Sequence, residues 1–201
     1  MGLHIIRRFI NEADLISKEI LRIDAQLGLK RLMPSLICQK MLILAEDKRA
    51  WRHCGVDPLA MLRSIALTLI GKPHGGSTIL QQLIRTITGQ YERTLRRKTS
   101  EILLAYLVAG RVHRSIYPRV YLSIAYYGAG MEGYDKAIKK INGGLESDLH
   151  AAAMIVARLK YPEPRKTSLA KQALISRRES FLLGKYKGYK NTRIFSHVEA
   201  I

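Results

Sequence analysis

Almost no stretch of this sequence alternates apolar and polar residues with period two, and that feature excludes most sheet-based folds. What recurs instead is helical spacing. Phe9, Ile16, Ile20, Ile23 and Leu27 fall at intervals of seven, four, three and four, which is one face of a helix. Leu59, Leu62, Ile65, Ala66 and Leu69 repeat the pattern after Pro58. Glycine and proline punctuate these runs at Gly28 and Pro34, at Gly71, Pro73, Gly75 and Gly76, and at Pro162 and Pro164. Helices are expected over residues 9–27, 36–45, 58–70, 77–87, 93–112, 118–127, 149–159 and 168–186. The fold class predicted is all-α, as a single helical domain at 37–187. An N-terminal helical segment, 1–36, precedes it, and a basic C-terminal tail, 188–201, follows.

A chain of 201 residues buries a sufficient core without disulfides, and its two cysteines, Cys38 and Cys54, make neither a disulfide framework nor a paired metal knuckle. The formal charge is +18, from 34 Lys+Arg against 16 Asp+Glu. Such an excess predicts a polyanionic partner: nucleic acid, an anionic membrane surface or a phosphorylated substrate. A membrane-spanning helix needs about 20 apolar residues. The longest uncharged run, 120–131, is shorter and holds three Tyr and two Gly. Arg7 and Arg8 near the start are followed by Glu12, Asp14, Lys18 and Glu19 rather than by the apolar core of a signal peptide.

Four segments carry candidate chemistry. In the first, Glu46 and Asp47 close an apolar helix and His53, Gly55 and Asp57 follow. A carboxylate set against apolar residues is a competent proton acceptor near neutrality, while Asp57 caps the next helix ahead of Pro58. The second, Gly75-Gly76-Ser77-Thr78-Ile79-Leu80-Gln81-Gln82, is a capping box of Thr78 and Gln81 behind two glycines. Its free N–H groups make a ready anion site. The third holds Arg93, Arg96, Arg97, Lys98 and Glu101, with Arg97 and Glu101 paired at i, i+4. Either it is a solvated helix face or it is a basic clamp for a leaving diphosphate. The fourth is rich in tyrosine and glycine, from Tyr121 to Gly133.

Within that fourth segment Gly128, Gly130 and Gly133 spell G-x-G-x-x-G, with Glu146 and Asp148 beyond it. A dinucleotide site needs alternating strands and helices around this fingerprint, and the rest of the chain supplies only helices. No organic cofactor is expected. No nucleic-acid motif accompanies the charge either, so no specific nucleic-acid partner is expected.

Taken together, the four segments resemble the motifs of peptidoglycan glycosyltransferases of family 51, found in bifunctional penicillin-binding proteins and monofunctional transglycosylases. Glu46 through Asp57 is similar to the motif Glu-Asp-x-x-Phe-x-x-His-x-Gly-x-Asp. Gly75 through Leu83 is similar to Gly-Gly-Ser-Thr-x-x-Gln-Gln-Leu, and Arg97, Lys98 and Glu101 to Arg-Lys-x-x-Glu. Tyr121 through Gly130 is similar to a Tyr-Leu-Asn segment ending in Tyr-Phe-Gly-x-Gly, with a weaker likeness at 149–162 and near Arg177.

The resemblance implies a lysozyme-like helical fold and a glycosyltransferase that joins lipid II into glycan strands, with polyprenyl diphosphate leaving. Glu46 would be the general base. Asp47, His53, Ser77, Thr78, Gln81, Gln82, Arg97 and Lys98 would serve substrate binding. Glu101 would be the second catalytic carboxylate, assisting the diphosphate directly or holding Mg²⁺ or Mn²⁺. The implied partners are lipid II, the growing glycan strand and an anionic membrane surface. The implied location is the outer face of the bacterial cytoplasmic membrane.

The sequence departs from the pattern at Ala50 (Phe in the family, with Trp51 adjacent), Leu80 (Thr), Thr86 and Ser123 (Asn) and Ala109 (acidic). The alternative reading is a catalytically inactive relative that binds glycan or lipid-linked precursor.

Overall fold

The computed structural model describes residues 2–29, 33–72, 75–141, 148–166 and 168–189. Nine helices account for the regular structure among them: α1 (Gly2–Leu29), α2 (Leu36–Glu46), α3 (Pro58–Leu69), α4 (Ile79–Thr88), α5 (Leu95–Ala109), α6 (Ile116–Ile124), α7 (Tyr134–Ile141), α8 (Asp148–Lys160) and α9 (Leu169–Tyr189). The all-α expectation holds: the described residues contain two isolated β-bridges and no strand. Apart from its first two positions, the tail expected at 188–201 lies outside the described residues, as do Glu146 and Pro73.

The chain divides into two compact units. One comprises α1 together with Arg49–Tyr121, and the other holds the α2 segment through Lys48 and the chain from Leu122 onward.

In the first unit α1 packs against α5 and α4, and α4 packs against α5. Ala13, Ile16 and Ile20 of α1 meet a core built from Ile79, Leu80, Leu83 and Ile84 of α4 with Leu104, Ala105 and Val108 of α5. Helix starts are set by capping side chains. The Asp57 carboxylate accepts from the amides of Leu59 and Ala60, both at 3.1 Å, with Pro58 as the first helical residue. Thr94 accepts from Arg97 N at 3.2 Å. Helix α3 differs from the rest, because none of its residues is buried.

In the second unit α8 packs against α2, α7 and α9. Its buried face runs Ala151, Ala152, Ala153, Ile155, Val156 and Ala157, and such small side chains let the partner helices approach closely. Helix α2 is buried around most of its circumference, at Cys38, Gln39 and Met41 through Leu44, which fits the apolar run from Met41 to Ala45. Cys38 is buried and Cys54 exposed, and both are free thiols.

Two local expectations needed correction. The helix expected over 118–127 ends at Ile124. Beyond it the chain turns back on itself through a bridge between Tyr126 and Glu132 and docks Gly128 against Glu163. Glu163 N donates to Tyr127 O at 2.9 Å and Ala129 N to Glu163 O at 3.0 Å. A Cβ on Gly128 would collide with the backbone of Glu163, and one on Gly133 would sit 2.8 Å from Ser123 O. Gly128, Gly130 and Gly133 all have positive φ. The G-x-G-x-x-G spacing therefore serves a tight turn and two close backbone approaches. Directly after it comes α7, which the sequence reading left out. Tyr134, Ala137, Ile138 and Ile141 give it an apolar face, with Asp135 in its first turn and Lys139 and Lys140 in its last.

Candidate active site

Glu101 gathers the basic side chains of the first unit. It projects from α5 and is only 4% exposed. Its carboxylate accepts from Arg85 of α4 through Nε at 2.9 Å and Nη2 at 3.1 Å, from Lys98 Nζ at 2.8 Å and from Arg97 Nη1. Burial alone would push the Glu101 carboxyl up. The hydrogen bond and charge of Lys98, and then those of Arg85, outweigh that and hold it below its ordinary value. One carboxylate thus orders three cations, leaving a local excess of positive charge.

This cluster is tied to the glycine-fronted start of α4. Lys98 Nζ also donates to Ser77 Oγ at 2.9 Å. Thr78 is the N-cap, and the capping box is complete: Gln81 N donates to Thr78 Oγ1 at 3.2 Å and Thr78 N donates to Gln81 Oε1 at 3.0 Å. Thr78 Oγ1 donates in turn to Gly55 O at 2.7 Å. Thr78 and Gln81 are both buried, so they shape the motif from inside. Gln81 Nε2 is buried there without a hydrogen-bond partner. Gln82 is half-buried and accepts from the Tyr121 hydroxyl at 2.9 Å.

The second glycine of the motif has a packing role. A Cβ on Gly76 would come within 2.8 Å of Ser64 Cβ and 3.0 Å of Ala60 O, both on α3. Gly55 has φ of 77°, and a Cβ there would lie 2.9 Å from both Ala109 Cβ and Leu80 Cδ2. Leu80, where the family pattern has Thr, is itself a buried core residue. His53 is half-buried in the stretch that leads into α3.

Glu46 belongs to the second unit, where it is the last residue of α2. Its Oε1 accepts from Arg178 Nη2 of α9 at 3.2 Å, and both side chains are largely shielded. The sequence suggested an apolar wall around this carboxylate, and the structure supplies a guanidinium instead. The Arg178 guanidinium also lies 5.3 Å from the Phe181 ring centre. Lys185 Nζ donates to Leu44 O at 2.9 Å and lies 5.2 Å from the centre of the same ring. Burial, with the nearby charges of Lys48 and Arg178, pulls the Lys185 amine down to about 8, against the opposing pull of Glu46. Asp47 is buried as the C-cap of α2, its N–H donating to Ile43 O at 3.0 Å.

Sequence reasoning missed Arg178, and it placed Arg85 only at the edge of the basic stretch from Arg85 to Lys98 expected to face a diphosphate. Arg85 stands eight positions after Ser77 in the same motif helix, and Arg178 adjoins the weak likeness noted near Arg177. A divalent cation on Glu101 does not fit this donor set. Both carboxylate oxygens already accept from cationic side chains, and the described residues contain no group of three or more His, Cys, Asp or Glu able to hold a metal ion.

Comparison with known proteins bears on this arrangement directly. The family model described as Transglycosylase matches residues 25–187. Penicillin-binding protein 1A of Aquifex aeolicus (strain VF5) is 35% identical over 124 residues, which are 60% of this chain and 17% of that protein. Penicillin-binding protein 1A of Escherichia coli (strain K12) is 33% identical over 140 residues, 66% of this chain and 16% of that protein. Penicillin-binding protein 2a of Streptococcus pneumoniae serotype 2 is 32% identical over 127 residues, 62% and 17% respectively. The chain thus spans about a sixth of the length of the curated relatives it matches. The family match covers most of the chain, including both carboxylates and every helix from α2 to α8, so this chain belongs to the transglycosylase family, with that family's lysozyme-like all-α fold and glycosyltransferase class.

Proposed function

We propose that this chain polymerises lipid II into glycan strands with inversion at the donor's anomeric carbon. Glu46 takes the proton from the acceptor's sugar hydroxyl. The freed oxygen attacks the anomeric carbon, and the bond from that carbon to the diphosphate breaks, with the electron pair departing on polyprenyl diphosphate. Arg178 holds the Glu46 carboxylate in place.

The observation that carries this reading is the Glu101 cluster. Three cations ordered on one nearly buried carboxylate, and joined through Ser77 to a capped helix start, suit a leaving diphosphate better than a neutral glycan. In this scheme Arg85, Arg97, Lys98, Ser77 and Gln82 contact the donor. Glu101 keeps the cations aimed, while Thr78 and Gln81 hold the helix start from within. Asp47 and His53 support the acceptor side. The charge is supplied by the protein's own side chains, and no step is routed through a metal.

Lipid II is membrane-linked, so the enzyme works at a bilayer surface. Helix α3 supports that setting. Leu59, Leu62, Ile65 and Leu69 are all more than half exposed, Leu69 at 82%, and only Arg63 is charged along the helix. A basic surface contributes as well, although less than the eleven Lys+Arg of residues 158–193 suggest. Arg158 is committed to Glu163 and Glu179, and Arg178 to Glu46. Lys160, Arg165, Lys166, Lys171, Arg177 and Lys187 remain exposed toward an anionic surface.

The deciding experiment is lipid II polymerisation in detergent. Wild-type chain should form glycan strands and Glu46→Gln should not. A wild type that binds lipid II and never turns it over would replace this reading with that of an inactive binding relative.

A further inference from the structure

The family match begins at residue 25, so most of α1 lies ahead of it. That helix is used unevenly. Ala13, Ile16, Ser17, Ile20 and Leu27 are buried, and α1 packs against α4 and α5. Asp14 and Asp24 pair with Arg111 and Arg119 at 2.6 and 2.5 Å. Over residues 3–10 the same helix runs on with little packed against it. Leu3, Ile5, Ile6 and Ile10 are exposed, Leu3 at 88%.

These exposed side chains are ordered. Leu3, Ile6 and Ile10 fall at i, i+3 and i+7, and with Ile5 and Phe9 they fill an arc of about 160° at 100° per residue. Arg7 flanks that arc, and His4 and Arg8 stand across the helix from its centre. The first turn carries no acid, and the first acidic residue is Glu12.

We propose that residues 3–10 of α1 lie flat in the boundary between headgroups and acyl chains of an anionic bilayer. Leu3, Ile6 and Ile10 face the acyl chains, and Arg7 and Arg8 sit at the level of the lipid phosphates. The apolar arc covers less than half of the helix circumference, with His4, Arg8 and Asn11 on the other side, so the segment lies along the surface. The charge selects the occupant, because a basic, acid-free rim beside an apolar arc complements anionic lipid. The docked part of α1 then fixes the helices carrying the Glu101 cluster to that surface. The inference rests on the lipid-linked substrate reading, and its test does not depend on turnover.

The test uses full-length chain with vesicles of phosphatidylcholine, with and without about one third phosphatidylglycerol. Ile6→Trp, read against the signal of Trp51, should shift to the blue on anionic vesicles and be quenched by lipids brominated in the upper acyl chain. Asn11→Trp, on the opposite side of the helix, should not be quenched. The double variant Ile6→Glu with Ile10→Glu should lose about 30-fold or more in partition onto anionic vesicles. Arg7→Gln and Arg8→Gln should each lose about fivefold. Polymerisation in detergent by the Ile6→Glu, Ile10→Glu variant should stay within twofold of wild type. Unquenched Ile6→Trp on vesicles that bind the chain overturns the proposal, as does unchanged partition of the double variant. A concentration-dependent dimer that the double variant abolishes, without vesicle binding, makes a second copy the occupant and also overturns it. An inert detergent assay beside an intact blue shift removes the catalytic reading and keeps the anchor.

Discussion

Replacing Glu101 with Gln tests the cation cluster at its centre. The substitution keeps the volume of the side chain and removes its charge. Arg85, Arg97 and Lys98 then face one another around a neutral amide that can accept only through one oxygen. Breaking one side of a buried ion pair costs about 3–5 kcal/mol. Here the carboxylate is 4% exposed, while the three cations keep between 14% and 29% of their side-chain surface. Partly wet cations relax toward solvent, which places the loss at the lower end, about 3 kcal/mol. With a urea slope of about 2 kcal/mol/M, the unfolding midpoint should fall by about 1.5 M.

The pH dependence gives this prediction a second arm. The folded-state pKa of Glu101 is lowered, so its contribution to stability is fully present above the unfolded value of about 4.3 and is lost as pH falls through the folded value. The stability gap between wild type and Glu101→Gln should therefore be flat from about pH 5 upward and close progressively in stronger acid. Inorganic pyrophosphate should raise the midpoint of Glu101→Gln more than that of wild type, because it restores the missing negative charge. A midpoint within about 0.3 M of wild type at neutral pH would refute the reading of Glu101 as the group that holds these cations in place.

The other predictions concern the supports around the two carboxylates. Thr78→Val removes both halves of the hydroxyl's work, the cap on Gln81 N and the bond to Gly55 O, and should cost about 2 kcal/mol by urea unfolding, whereas a loss below about 0.5 kcal/mol would show that the box does not hold the helix start. Gly55→Ala meets a left-handed backbone and two carbon contacts at 2.9 Å; it should cost about 3 kcal/mol or more, and a near-neutral result would contradict the close approach of α4 and α5 at that turn. The Lys185 amine, lowered to about 8, should be about a quarter neutral at pH 7.5, against roughly 0.1% for an ordinary lysine. Amine acylation followed by peptide mass spectrometry should then show Lys185 reacting with a midpoint near pH 8, and a pH profile matching that of exposed Lys171 would remove the claim. Because the folded value is lowered, the charged form is penalised below pH 8, and this part of the instability should ease as pH rises from about 8 toward 10.4.

Local chemistry made much of the fold readable in advance. Asp57 ahead of Pro58, and Thr78 three residues before Gln81, announce helix starts because an N-cap bonds only to residues two or three positions on. The Arg97–Glu101 pair follows from helical geometry alone. Features that depend on distant chain were harder to read. Nothing near Glu163 in sequence says that Gly128 will be pressed against its backbone. The missing strands ruled out a dinucleotide loop there, but the segment that Gly128 meets was not legible. Helix α7 was hard to read because it is only eight residues long and follows directly on the glycine turn. The pairings of Arg85 with Glu101 and of Arg178 with Glu46 were not legible because a cation's partner is set by packing, across sixteen residues in one case and 132 in the other.

The motif from Glu46 to Asp57 shows why order along a chain can be legible while its meaning is not. It looks like one local device of twelve residues, yet it crosses from one compact unit to the other. Glu46 ends a helix whose buried face belongs to α8 and α9, and its cation comes from α9. Asp57 begins α3, bonds Arg49 at 2.9 Å, and shares its unit with the turn at Gly55 that receives the Thr78 hydroxyl. Residues 46–48 belong to one unit and 49–57 to the other. Arg178 meets Glu46, and Thr78 at the α4 start meets Gly55. Ala50 and Trp51, where the family pattern has Phe before an unspecified residue, lie in that linker stretch, and Arg114 Nη1 donates to the Trp51 carbonyl at 2.8 Å. Both residues belong to the first unit, whereas Glu46 and Arg178 belong to the second, so the motif's bulky position and its carboxylate are packed by different helices.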